Sequence, residues 1–213
     1  MASYHLPEYW DQRYQTDTEI FEWYQRYTEL KPKIQDLLPK GGRCLVVGAG
    51  SSELSFDLYD DAEVGIKDIV SIDVSQVVIR HMQGLVGDRK GCEYTVMNVT
   101  ELTYPDDSFD VIIDKGTLDS LLCAENGKEI STKALEQIFR VLKPQGYYIC
   151  ISYANSDMRM VFFTQEMLDW DVEIRQIPKP KLMDSVTSND EFHYIYVMKK
   201  RGEPVTEQKS KKK

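Results

Sequence analysis

A short β-branched run, Cys44-Leu-Val-Val47, ends in Gly48-Ala-Gly50 and gives way at once to helical spacing. Such a strand can pass into a helix only through a loop tight enough to bring backbone N–H groups against a ligand. The next apolar run, Ile69-Val-Ser-Ile72, closes on Asp73, which lies 23 residues after Gly50. A carboxylate there is placed to accept hydrogen bonds from both hydroxyls of a ribose. These features point to an α/β domain that binds a nucleoside-bearing cofactor.

The third position of a dinucleotide fingerprint G-x-G-x-x-G is Glu53 in this chain. A pyrophosphate about 5 Å from that carboxylate would meet roughly 3 kcal/mol of repulsion per charge pair at an effective dielectric near 20. S-adenosylmethionine has no phosphate and carries a sulfonium cation, so an acidic loop suits it. The loop favours this methyl donor over a nicotinamide or flavin dinucleotide.

At 213 residues the chain is long enough for one self-sufficient core. No window approaches the roughly 20 apolar residues of a membrane span, so no membrane partner is expected. The four cysteines are scattered, and Cys44 and Cys150 lie in apolar runs where buried free thiols are expected. Three histidines without ligand spacing give no metal site. A reduced, cytoplasmic setting fits this usage, and the acidic residues of the N-terminus fit neither a signal peptide nor a mitochondrial presequence.

Eight of the 23 aromatic residues fall within the first 27 positions. They must pack on the domain, cover a ligand, or both. From Lys199 to Lys213, seven basic against two acidic residues make a tail of +5, which leaves −14 for the rest of a chain whose net charge is −9. That tail is too polar to bury itself and reads as a solvated, disordered end. The acidic body argues against nucleic acid as the main partner and suits a basic protein substrate.

After the aromatic segment, strand and helix signals alternate. Strands are expected at Cys44–Val47, Ile69–Ile72, Tyr94–Met97, Phe109–Ile113 and Tyr147–Ser152. Helical periodicity marks Ser75–Leu85 and Thr132–Leu142. Repeated βα units imply a parallel sheet with right-handed crossovers. Two late strands, Val172–Ile177 and His193–Met198, have no helical pattern between them and are expected to pair antiparallel at a sheet edge. One domain over residues 1–198 follows, with residues 1–30 as its aromatic segment and 199–213 as the tail.

Ligands of open α/β sheets sit outside the carboxyl ends of the strands. That selects Gly48–Ser51, Asp73-Val74, Asn98-Val99 and Asp114–Asp119 as the rim of the site. Asn98 and Val99 could read an adenine edge, or Asn98 could simply make a turn. Charges directly after the buried run Val111-Ile-Ile113 point to function at Asp114 and Asp119. His81 and His193 read as packed histidines.

Tyr9-Trp-Asp-Gln-Arg-Tyr14, Glu22-Trp-Tyr24, the Gly48–Ser52 loop and Asp114-Lys-Gly-Thr-Leu-Asp119 together resemble the class I, seven-strand S-adenosylmethionine-dependent methyltransferases. Within these they are similar to the branch holding the elongation factor 1A lysine methyltransferases. The resemblance implies a Rossmann-like, doubly wound sheet of order 3-2-1-4-5-7-6 with strand 7 antiparallel. It implies that Trp10, Tyr14 and Trp23 close over the cofactor, that Gly48 carries the methionine end, and that Asp73 and Val74 hold the ribose; Gly50 of the same loop is a further cofactor-binding candidate. Asn98 and Val99 would flank the adenine, with Lys115 at the cofactor edge. The branch often carries Asp where this chain has Asn98.

The activity implied is N-methylation of a protein lysine, with elongation factor 1A as a candidate substrate and a monomer as the working unit. Asp114 and Asp119 would position the lysine ammonium. A small-molecule methyltransferase and a non-catalytic S-adenosylmethionine-binding module are the alternatives. The absence of a sizeable insertion after the fourth or fifth strand favours an open, protein-binding face.

Overall fold

The computed structural model describes residues 4–180 and 191–202. Its centre is a seven-stranded sheet of order β3-β2-β1-β4-β5-β7-β6. The strands are β1 (Arg43–Val47), β2 (Asp68–Asp73), β3 (Cys92–Val96), β4 (Phe109–Lys115), β5 (Leu142–Ser152), β6 (Trp170–Pro178) and β7 (Phe192–Lys200). β1 to β5 run parallel, and β7 lies antiparallel between β5 and β6.

β1, β2 and β4 are apolar on both faces because helices cover both sides. Cys44 and Val46 of β1 pack into one core with Ile69, Val111 and Ile149, while Leu45 and Val47 pack into the other with Val70, Ile112 and Ile138. A one-residue slip of β1 would exchange the two cores, so register is strongly specified. Among the described residues the α-helices are α1 (Pro7–Thr16), α2 (Tyr27–Ile34), α3 (Leu54–Asp60), α4 (Gln76–Leu85), α5 (Thr117–Leu121), α6 (Gly127–Val141) and α7 (Ser156–Phe163).

The expected elements are present, with shifted bounds. Ser75 caps α4 by accepting the Val78 N–H. α6 begins at Gly127, five residues before the periodic stretch, and ends at Val141. Leu142, which fits the helical period, instead opens β5 opposite Phe109. Lys143-Pro-Gln-Gly146 has turn chemistry, yet the strand passes through it with a register shift against β4. β7 continues through Lys200, whose ammonium donates to the Phe139 and Leu142 carbonyls and to Asp107, so the first residues assigned to the tail belong to the sheet. The rest of the tail, from residue 203, and most of the loop between β6 and β7 lie outside the described residues. Among the described residues, no helix is long and apolar enough to cross a membrane.

Candidate active site

The parallel strands end at a cleft of about 680 Å³, roofed by the N-terminal aromatic segment. Gly48 has φ +58°, and a Cβ there would lie 2.0 Å from Thr117 Oγ1. Gly50 has φ +54°, and a Cβ would lie 2.7 Å from the Tyr14 hydroxyl. Both glycines are therefore required twice over, by backbone conformation and by the close approach of α5 and α1. Asp73 stands beside them at the end of β2, buried. Its Oδ2 accepts the Gly50 N–H at 3.0 Å and its Oδ1 accepts the Ser75 N–H at 2.9 Å. Burial pushes its carboxyl pKa up while these amide bonds pull it down.

Trp10, Tyr14, Trp23, Gly48, Gly50, Asp73, Val74, Asn98, Val99 and Lys115 all line this one cleft. Trp10 stacks on Tyr14 with ring centres 5.9 Å apart and meets Trp23 edge-on at 6.5 Å. The aromatic leader thus packs on the domain and covers the cleft at once. Asn98 makes the turn: its side-chain oxygen accepts the Thr100 N–H at 3.0 Å and caps a short 3-10 turn, while the residue remains exposed at the cleft. Val99 is buried beside it.

The two carboxylates assigned to the substrate do different work. Asp114 does not line the cleft. It is buried beneath α5, accepting from the Thr117 and Leu118 N–H groups and from the Tyr148 hydroxyl. Loss of hydration pushes its pKa up to about 7. Asp119 does line the cleft, but its Oδ1 is bound by Ser152 Oγ at 2.6 Å and by the Arg159 guanidinium at 2.7 Å. Its Oδ2 is bound by the Tyr24 hydroxyl at 2.7 Å and the Tyr153 N–H at 3.1 Å. A carboxylate has about four acceptor positions: those of Asp119 are filled by four donor groups, and Asp114, with three, lies outside the cleft, so neither acid is offered to a lysine ammonium. The reason is chemical: a charge at the end of a buried strand needs partners, and here the protein supplies all of them.

Asp73 differs. It lines the cleft and accepts from two amides, of Gly50 and Ser75, which leaves acceptor capacity over.

The Asp114-Lys-Gly-Thr-Leu-Asp119 run is a clasp. Asp114 secures the start of α5, and Thr117 Oγ1 donates to the Val47 carbonyl. Gly116, at φ +89°, leaves space for the Tyr24 ring, and Tyr24 itself sits at φ 64°. Lys115 is buried and donates to Glu22 at 2.5 Å and to the Trp23 carbonyl at 3.1 Å. Glu22 in turn accepts from Ser52 Oγ and from the Glu53 N–H at 2.7 Å. One carboxylate thus ties the aromatic segment to both the glycine loop and β4.

Glu22, Tyr24, Tyr153 and Arg159 are site residues that sequence reasoning left without a role. The Glu22-Trp-Tyr24 run was the available signal for the first two. The basis for excluding a dinucleotide also moves. Glu53 is exposed and does not line the cleft; the negative group at the start of α3 is Glu22. Glu22 does not line the cleft either; its carboxylate takes the Glu53 N–H and is paired with Lys115, so that amide is not free for a phosphate.

The chain matches the family described as "Methyltransferase domain" over residues 38–206. It is 31% identical to bovine EEF1A lysine methyltransferase 4, a match covering 79% of this chain and 69% of that one. It is 37% identical to human eEF1A lysine and N-terminal methyltransferase over 80% of this chain, but spans only 25% of that relative's length. A SAM-dependent methyltransferase from Methanosarcina mazei shares the fold with a TM-score of 0.58 at 16% identity, covering 81% of this chain and 98% of that one. The nucleoside site, the sheet order and these matches agree: the chain belongs to the class I S-adenosylmethionine-dependent methyltransferases.

Proposed function

We propose that the protein is a protein-lysine N-methyltransferase that acts as a monomer, in the cytoplasm, on a substrate resembling elongation factor 1A. The observation that carries this reading is an aromatic-walled cleft whose mouth is open. Tyr4, Trp10, Trp23 and Tyr24 line it, half-exposed Tyr153 stands at its edge, and the segments after β4 and β5 form the helices α5, α6 and α7 that connect the strands. Relatives named for lysine methylation of eEF1A, at 29–37% identity, support the substrate class.

In this reading Asp73 holds the ribose, with Val74, Asn98 and Val99 around the adenine. Gly48 and Gly50 let the backbone approach the methionine end, and Trp10, Tyr14 and Trp23 exclude water above it. Lys115 acts through Glu22 as the closure of the cofactor edge. S-adenosylmethionine bound there supplies an electrophilic methyl on a sulfonium.

The chain's own task is alignment and desolvation. A lysine at its ordinary pKa near 10.4 costs about 4–5 kcal/mol to deprotonate at pH 7. An unpaired carboxylate facing it would hold the proton on. Here Asp119 is neutralised by Arg159, and burial together with Asp119 pushes the Tyr24 phenol well above its usual range, so it stays a neutral donor. Beside Tyr24 and Tyr153 the amine meets no unpaired carboxylate from Asp119, which favours its neutral form, and the proton leaves to water. Asp114 and Asp119 are positioning residues in this scheme rather than groups that touch substrate.

The test is incubation with labelled methyl donor and a cytosolic extract, followed by identification of the labelled protein and residue. Label on a lysine of an elongation factor supports the proposal. Label confined to small molecules, or none, contradicts it.

A further inference from the structure

Arg13 lies on α1 next to Tyr14, whose hydroxyl occupies the space over Gly50. It lines the cleft, its guanidinium 5.2 Å from the Phe21 ring, 5.4 Å from Trp23 and 5.9 Å from Trp10. Three rings stack around it, yet rings offer its five N–H donors no acceptor in their plane. Among the described residues it has neither an ion pair nor a side-chain hydrogen bond. A half-buried guanidinium held rigid and left without an anion is a site prepared for one.

The methyl donor's amino-acid end carries an α-carboxylate, which entering the cleft must exchange water for a cation. The other cations on the wall are engaged elsewhere. Lys115 is bound to Glu22 at 2.5 Å. Lys133 is exposed on α6, paired with Glu129 at 2.9 Å, on the helix that carries the cleft residue Ile130. Among the described lysines and arginines that line the cleft, Arg13 is the one whose donors are unfilled.

We propose that Arg13 is the carboxylate-binding residue of the cofactor site. It takes the α-carboxylate of the donor's amino-acid moiety on its guanidinium edge and so selects amino-acid-bearing sulfonium nucleosides over nucleosides that lack that group. This rests on S-adenosylmethionine occupying the cleft, and the test separates the two claims.

The measurement is calorimetric titration of wild type, Arg13→Gln and Lys115→Met with two ligands: S-adenosylhomocysteine, which has the carboxylate, and 5′-methylthioadenosine, which lacks it. Loss of a charge-assisted pair predicts that Arg13→Gln binds S-adenosylhomocysteine about 10- to 100-fold more weakly. Its affinity for 5′-methylthioadenosine should stay within about threefold of wild type, which also shows that the variant is folded. Equal weakening for both ligands, no weakening for either, or selective loss in Lys115→Met instead overturns the assignment of Arg13. Failure of wild type to bind either ligand overturns the cofactor site itself, and the assignment with it.

Discussion

Two ends of the same sheet edge carry buried aspartates, and they differ in how much of their hydrogen-bonding capacity is left over. At the end of β2, Asp73 lines the cleft, holds two backbone amides and keeps acceptor capacity over. At the end of β4 and the start of α5, Asp119 is saturated by an amide, hydroxyls and a guanidinium of the same chain, and Asp114 is buried outside the cleft on two amides and a hydroxyl. All three are buried. On our proposal only the first receives a ligand; the other two hold together the parts that surround it. An acid in an active-site cleft is thus assigned by counting the lone pairs that its own protein leaves unfilled.

The largest effect expected from this contrast is on stability. Asp119→Ala strands the Arg159 guanidinium in a buried site and releases Tyr24, at a cost of about 3–5 kcal/mol. Urea or thermal unfolding measures it, and a loss below about 1 kcal/mol would break the comparison. Asp73→Ala acts on binding instead. Losing two hydroxyl contacts to a carboxylate should weaken S-adenosylmethionine about 100-fold or more, read by calorimetry alongside a melting curve.

Glu22→Gln comes next. It weakens the grip on Lys115, Ser52 and the start of α3, and the aromatic roof loosens. KM for the methyl donor should rise about tenfold with a smaller change in kcat, the price of one charge-assisted bond. Asp114→Asn should do least. Its folded pKa, raised to about 7 from about 3.9 in the unfolded chain, means that wild type loses stability as pH rises between these values. Asn resembles the protonated acid, so the variant should match wild type near pH 4 and exceed it by about 1–2 kcal/mol at pH 8. A variant less stable than wild type at pH 8 would show that the ionised carboxylate is what the α5 amides require.

The sheet was legible in the sequence because β1, β2 and β4 are buried on both faces and so read as nearly continuous apolar runs. Asp73 was legible because strand, glycine loop and acid keep a fixed spacing. The short helices α5 and α7 were not, since each has too few turns to establish a period. The start of β5 was hidden by Pro144 and Gly146, which carry turn chemistry through a strand. The roles of Asp114 and Asp119 were misread for a different reason. A charge after a buried strand implies a partner, but spacing does not say whether that partner is a ligand or Arg159, 40 residues further along the chain. Glu22 was overlooked likewise, because its meaning lies in Lys115, 93 residues away.

The most direct test of the account compares Asp73→Ala with Asp119→Asn in one calorimetric series at 10 °C, where the less stable variant remains folded. The predicted result is loss of S-adenosylmethionine affinity by about 100-fold in the first and a change within about threefold in the second. Retained affinity in Asp73→Ala, with loss in Asp119→Asn, would contradict the assignment of which aspartate receives the ligand.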